Sequence, residues 1–227
     1  MTDAESPVIS HNSVRGAFSA GRMFVVGDIH GCLDELEARL VFLGFDKGRD
    51  KLFALGDLVD RGPKSAEVFA LLDEPWFESI RGNHEELLIE AEGGNCDMHV
   101  CNGGAWFAFL EPEERKRLAD KAKALPVAML VTTPSGRRIG LVHADMPGSD
   151  WDEFIDRLDT PQVRDYAMWT RERVYHALHN RHLEPIRGVD HVYFGHTPLK
   201  APVRAANMSW IDTCCFATGN LTVEELL

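Results

Sequence analysis

Gly27-Asp28-Ile29-His30-Gly31 places a carboxylate and an imidazole one residue apart. The stretch follows Met23-Phe24-Val25-Val26, an apolar run that reads as a strand. Both side chains therefore leave one strand end, on a backbone that the flanking glycines let bend sharply. Carboxylate oxygen and imidazole nitrogen are hard-to-borderline donors. They suit a catalytic divalent or ferric ion better than a thiolate-type zinc site.

The pattern recurs along the chain. Lys51-Leu52-Phe53-Ala54-Leu55 delivers Gly56-Asp57-Leu58-Val59-Asp60-Arg61-Gly62, and Phe77-Glu78-Ser79-Ile80 delivers Arg81-Gly82-Asn83-His84-Glu85. Ile139-Gly140-Leu141-Val142 leads into His143-Ala144-Asp145, and His191-Val192-Tyr193-Phe194-Gly195 leads into His196-Thr197-Pro198. In open α/β sheets chemistry gathers at the carboxyl ends of strands. Apolar runs that repeatedly end in Asp, Asn or His thus point to one shared site.

These blocks resemble the metallophosphoesterase fold and, within it, the PPP superfamily. The likeness is greatest to the short bacterial and phage-lambda-type serine/threonine protein phosphatases. It runs from about Arg22 to the C-terminus and includes Asn102-Gly103-Gly104-Ala105-Trp106, Met168-Trp169-Thr170-Arg171 and Trp210-Ile211-Asp212-Thr213. The resemblance implies an α/β fold of two packed mixed β-sheets flanked by helices. It also implies two divalent metal ions, with Mn2+ as the first choice and Fe or Zn as alternatives. Asp28, His30 and Asp57 would hold the first ion; Asp57, Asn83, His143 and His196 would hold the second. Asp57 has two oxygens with which to bridge, and Asn83 offers only a neutral carbonyl oxygen.

The same resemblance implies the chemistry. A hydroxide generated between the ions attacks phosphorus directly, and Arg61, Arg81 and Arg171 hold the phosphoryl oxygens. His84 protonates the leaving group and Asp60 orients it. The substrate is a phosphorylated protein or peptide, a phosphoserine or phosphothreonine monoester with phosphotyrosine as a further option. Two neighbouring readings stand beside this one. Symmetrical dinucleoside tetraphosphate hydrolases share the scaffold and the Gly31-Cys32-Leu33-Asp34-Glu35-Leu36 segment, but usually carry alanine in place of Asp60 and lack the arginine found at Arg81. A non-catalytic binding module would show missing ligands, and none is missing.

Composition bounds the rest. The 227 residues with 44% apolar content suit one domain with a sizeable core. Residues 1–20 read as a flexible lead-in, 21–227 as a single catalytic domain, and 95–126 as a mostly helical excursion near the site. A net charge of −12 argues against nucleic acid as partner. The local charge of two metal ions and three arginines would still make the site cationic. The acidic, polar N-terminus lacks a signal-peptide pattern, and no apolar run approaches the roughly 20 residues that cross a bilayer. The expectation is a cytoplasmic protein with no membrane partner.

The elements between the motifs follow from periodicity. Leu33, Leu36, Leu40 and Leu43 recur at helical spacing before Gly44. Pro63 suits a helix start, with Val68, Leu71 and Leu72 on its apolar face. Glu85 to Glu92 reads as a helix stopped by Gly93-Gly94, and a charged helix lies between Pro112 and Pro126. Glu111-Pro112-Glu113-Glu114 is its acidic first turn. Residues 127–131 and 138–142 alternate around Pro134-Ser135-Gly136, as a hairpin would.

Five cysteines are expected to be reduced thiols. Cys96, His99 and Cys101 lack the second pair a structural zinc needs, so none is expected there. Cys214-Cys215 reads as packing, although adjacent thiols near the active-site face could be oxidation-sensitive. His176, His179 and His182 read as a solvated basic face.

Overall fold

Alternation within the motif strands sets the architecture. The computed structural model describes residues 11–15 and 21–226. Strand β2 (Met23–Val26) is buried on both faces. Met23 and Val25 point into one apolar cluster, Phe24 and Val26 into another. Strand β3 (Lys51–Ala54) divides likewise, with Phe53 on one side and Leu52 and Ala54 on the other. A strand with two apolar faces must be covered twice, and the fold supplies a second sheet on one side and helices on the other.

The first sheet runs β10-β2-β3-β4. Here β2, β3 and β4 (Phe77–Ser79) are parallel, and β10 (Val223–Glu225) is an antiparallel edge. The second runs β1-β5-β6-β7-β9-β8. It contains β1 (His11–Arg15), β5 (Ala128–Thr132), β6 (Arg138–Val142), β7 (His191–Phe194), β8 (Val203–Ala205) and β9 (Met208–Trp210). Strands β6, β7 and β9 are mutually parallel, and β5–β6 is the expected hairpin. Met129, Val131, Ile139, Leu141, Tyr193 and Ile211 meet Met23, Val25, Phe53, Leu55 and Ile80 between the sheets.

The outer face of the first sheet is covered by α1 (Leu33–Phe42), α2 (Ser65–Ala70), α3 (Asn83–Glu92) and α5 (Pro112–Lys123), which contribute Leu36, Leu40, Val68, Phe69, Leu88, Leu118 and Ala122. Short α4 (Asp97–Cys101) and a 3-10 segment at Gly104–Phe109 complete the excursion over 95–126. The second sheet is backed by α6 (Trp151–Arg157), α7 (Pro161–Trp169) and α8 (Glu172–Leu178), through Trp151, Phe154, Val163, Ala167, Met168 and Val174. A four-residue helix, α9 (Cys215–Thr218), follows β9. The result is the expected pair of mixed sheets between helical layers.

The reading of residues 1–20 as a lead-in falls outside the described residues except at His11–Arg15. Those five residues form β1, paired parallel with β5. The sequence reading also started α3 two residues late. Its first turn contains Asn83 and His84, because Gly82 is the N-cap and Glu85 Oε2 accepts from Gly82 N–H at 2.8 Å, half of a capping box. No helix is long and apolar enough to cross a membrane among the described residues.

Candidate active site

Six parallel strand ends point to one place. Asp28 follows β2, Asp57 follows β3 and Asn83 follows β4; His143, His196 and Asp212 follow β6, β7 and β9. The loops that carry them touch so closely that two glycines are obligatory. A side-chain carbon on Gly82 would collide with the Asp57 carboxylate, and one on Gly195 with that of Asp28. Several non-glycine residues pay in backbone strain: φ is 46° at His30, 50° at Asp57, 71° at Asp60, 68° at Arg61 and 64° at His196. Left-handed conformations of this kind cost roughly 1–3 kcal/mol each and persist where surrounding contacts over-determine them.

Asp57 is the centre of the cluster. Its Oδ1 lies 3.4 Å from His143 Nε2, and its Oδ2 lies 3.5 Å from His30 Nε2 and 3.9 Å from His84 Nε2. Donor atoms of His30, Asp57 and His84 all fall within 4.8 Å of one another, as do those of Asp57, His143 and His196. Each oxygen thus faces its own group of imidazoles. Burial alone would raise the Asp57 carboxyl, but His143, His84 and His30 around it more than reverse this and hold it below the usual carboxylate range.

On the Oδ1 side the donor set is short of protons. His143 Nδ1 faces the Leu55 carbonyl at 2.7 Å, and His196 Nε2 faces the Trp169 carbonyl at 3.1 Å. Those nitrogens must carry the hydrogens. Burial pushes His143 down and His196 down to about 3, so neither takes a second proton near neutrality. His143 Nε2 and His196 Nδ1 then present lone pairs, and both point at Asn83 Oδ1, each at 2.9 Å. Three lone pairs facing one another, with Asp57 beside them, form the donor set of a cation site.

On the Oδ2 side hydrogen-bond donors are plentiful. His30 Nδ1 donates to the Val59 carbonyl at 2.8 Å, leaving Nε2 as acceptor; burial pushes this imidazole down to about 3. Arg61 forks between His30 Nε2 at 3.1 Å and His84 Nε2 at 2.9 Å, with Phe216 packed 4.9 Å beneath its guanidinium. His84 Nδ1 donates to Asp60 Oδ2 at 2.7 Å. Burial disfavours the His84 cation, but Asp57 and the Asp60 bond outweigh that and raise its pKa. The Asp60 carboxylate is fully buried.

Two residues given no such role by the sequence reading complete this side. His99 Nε2 donates to Asp60 Oδ1 at 3.0 Å and Trp106 Nε1 at 2.7 Å. Cys96 and Cys101 on the same helix are exposed, and no group of metal-type ligands among the described residues includes them. His99 is therefore a support for Asp60. Glu85 is a further strut. Its carboxylate accepts from Asp57 N and Leu58 N, each at 2.8 Å, besides Gly82 N, so one side chain joins the second motif to the third.

The remaining expected residues divide. Asp28 belongs to neither of the two groups of clustered donor atoms, and both its oxygens accept from His196 N–H at 3.0 Å. Burial and then Asp212 and Asp57 push its carboxyl well up, and Asp212 is pushed up to about 6 by burial. Carboxylates crowded in this way are what a bound cation relieves. Arg171 is exposed at the start of α8, close enough for its charge to lower His143 and His196.

Arg81 departs from expectation. Its guanidinium is turned to Glu86 at 3.0 Å and to the carbonyls of Lys123 and Leu125, at 2.5 and 3.1 Å. Those acceptors tie α3 to the end of α5 and compete with any phosphoryl oxygen, so Arg81 is not brought into the cluster. His179 and His182 are exposed as expected.

Residues 21–200 match the family model described as calcineurin-like phosphoesterase. The chain is 36% identical over 208 residues to serine/threonine-protein phosphatase 1 of Salmonella typhimurium, covering 90% of this chain and 91% of the relative. It is 35% identical over 132 residues to the symmetrical bis(5'-nucleosyl)-tetraphosphatase of Nitrosococcus oceani, covering 57% of this chain and 45% of that one. A solved serine/threonine phosphatase from Saccharomyces cerevisiae superposes with a TM-score of 0.63 at 15% identity, covering 97% of this chain and 84% of that one, which speaks to the fold alone.

Proposed function

The chain belongs to the calcineurin-like phosphoesterase family, and from that premise we propose that it is a metal-dependent phosphoprotein phosphatase acting on phosphoserine and phosphothreonine monoesters. Asp28, His30 and Asp57 would hold one divalent ion, and Asp57, Asn83, His143 and His196 the other. The two-sided placement of Asp57 and the converging lone pairs around Asn83 support that division. Oxygen and nitrogen donors without thiolate suit manganese, with iron or zinc as alternatives. Bound there, the two ions supply Lewis acidity and activation of water for in-line hydrolysis.

The protein's own residues supply positioning and a proton. Arg61, beside both His30 and His84, offers a forked guanidinium to phosphoryl oxygens where the ester meets the acid. Arg171, whose charge reaches His143 and His196, would offer a second. His84 donates its Nδ1 proton to Asp60, which helps raise the imidazole pKa, and Nε2, facing Arg61 and Asp57, would carry the proton given to the leaving group.

The observation that carries the substrate class is the support given to Asp60. Its carboxylate receives His84, His99 and Trp106. A seryl or threonyl alkoxide is a poor leaving group, for which general acid catalysis is worth roughly 10²–10⁴. A nucleotide phosphoanhydride leaves without that help. Matching lengths at 36% identity also favour the phosphatase relatives over the partly covered tetraphosphatases. Turnover of a phosphoserine peptide and of diadenosine tetraphosphate, each with manganese, tests the reading. The peptide is expected to be preferred, and preference for the dinucleotide would contradict it.

A further inference from the structure

Cys32, two residues after His30, is the N-cap of α1, and Cys215 is the first residue of α9. Both are buried. Their sulfurs lie within 4.8 Å of each other, and Cys32 S–H lies 3.6 Å from the His30 carbonyl. Together with Glu35 their ligand-type atoms all fall within 4.8 Å. Cys214 beside them is half-buried, whereas Cys96 and Cys101 are exposed on α4.

Two thiols and a carboxylate at that spacing suit either a soft metal ion or a bond between the sulfurs. The surroundings decide. Cys32 and Cys215 belong to the apolar cluster that includes Ile29, Leu36, Leu40 and Val223. A metal ion there brings charge into an apolar setting, and a disulfide brings none.

We propose that Cys32 and Cys215 are a thiol-oxidation site whose reversible disulfide ties the start of α1 to the turn after β9. A low-molecular-weight disulfide is the oxidant. One protein thiolate attacks it and expels one thiol; the second attacks the protein sulfur of the mixed disulfide and expels the other. Two protein S–H bonds are lost and one S–S bond forms, while the reagent's S–S bond becomes two thiols. Entry is through the α9 turn, where residues 216–220 are exposed.

The cross-link reaches the site through Phe216, the residue after Cys215. Its ring meets the His30 ring edge-on at 5.4 Å and lies under Arg61. Drawing Cys215 toward Cys32 shifts that ring against both side chains, and displacements on the order of 1 Å near a reacting centre cost up to about 10² in rate. The cross-link stands apart from the proposed activity; only its effect on turnover rests on the phosphatase reading.

The test treats the manganese-loaded protein with oxidised glutathione, blocks free thiols by alkylation, and maps peptides by mass without reduction. A linked pair containing Cys32 and Cys215 is expected, together with a fall in phosphoserine-peptide turnover of about tenfold or more. Dithiothreitol restores both. Cys215→Ser forms no link and keeps its turnover under the same treatment, while a Cys96→Ser, Cys101→Ser double variant behaves like the parent. Alkylation of both Cys32 and Cys215 after oxidation, or a link confined to Cys214–Cys215 or Cys96–Cys101, overturns the site. A Cys32–Cys215 link that leaves turnover unchanged overturns the regulatory consequence.

Discussion

The two sides of Asp57 are built on opposite principles. On the Oδ2 side the protein supplies donors to the imidazoles and to Asp60: Arg61 serves His30 and His84, and Asp60 receives His84, His99 and Trp106. On the Oδ1 side His143 and His196 donate outward to backbone carbonyls and turn bare nitrogens toward Asn83 Oδ1. The first side holds the His84–Asp60 pair, fixed by the protein's own donors, beside the His30 nitrogen proposed to hold one ion. The second presents bare nitrogen and oxygen lone pairs to the other proposed ion. On the proposed reading, Asp57 is shared by both ions and only the first side borders the leaving-group acid, so the two sides are separable by mutation.

The largest effect should come from breaking the junction. Asp57→Asn removes the shared charge from both groups, and loss of several kcal/mol of electrostatic stabilisation corresponds to roughly 10³-fold or more in kcat/KM. Metal content by elemental analysis should fall with it; full metal content with full activity would dissolve the two-sided picture. His84→Asn touches only the leaving-group acid. It should slow phosphoserine peptides by roughly 10²–10⁴ while sparing aryl phosphates, whose leaving groups need little protonation. Equal losses on both substrates would remove His84 from the acid's role.

His99→Phe sharpens the same contrast at smaller scale. Removing one charge-assisted bond to buried Asp60 costs roughly 1.5–3 kcal/mol, read as a lower Tm. It should also slow the seryl substrate more than the aryl one, by about tenfold, because it acts through Asp60 and His84. A lower Tm with no leaving-group dependence would make His99 a packing residue. Smallest is the split between two arginines of neighbouring motifs. Arg61→Lys should raise KM for phosphopeptide, because an ammonium lacks the fork. Arg81→Lys should lower Tm through the lost carbonyl bonds and leave KM near the parent value.

Much of this was legible in the sequence because the informative residues share one grammar, an apolar strand followed by a donor. That grammar delivered Asp28, Asp57, Asn83, His143 and His196, and the β5–β6 hairpin followed from alternation around Pro134-Ser135-Gly136. Met208-Ser209-Trp210-Ile211 before Asp212 is one more such run that the sequence reading passed over, naming Asp212 only within the family likeness. His99 and Trp106 escaped because their partner lies 39 and 46 residues away, and nothing local in a short helix announces a long-range hydrogen bond. The placement of Arg81 was hidden for a related reason. Residue type says that a guanidinium has donors; only the path of α5 says that Lys123 and Leu125 consume them. The start of α3 was missed because its cap is a glycine, with Glu85 supplying the capping oxygen from inside the helix.

The most direct measurement is an anomalous difference map from crystals of the protein grown with manganese. Two peaks about 3.5–4 Å apart are expected, flanking Asp57, one against His30 and Asp28 and the other against Asn83, His143 and His196. A single peak, or two peaks that leave the His143–Asn83–His196 group untouched, would contradict a binuclear centre shared through Asp57.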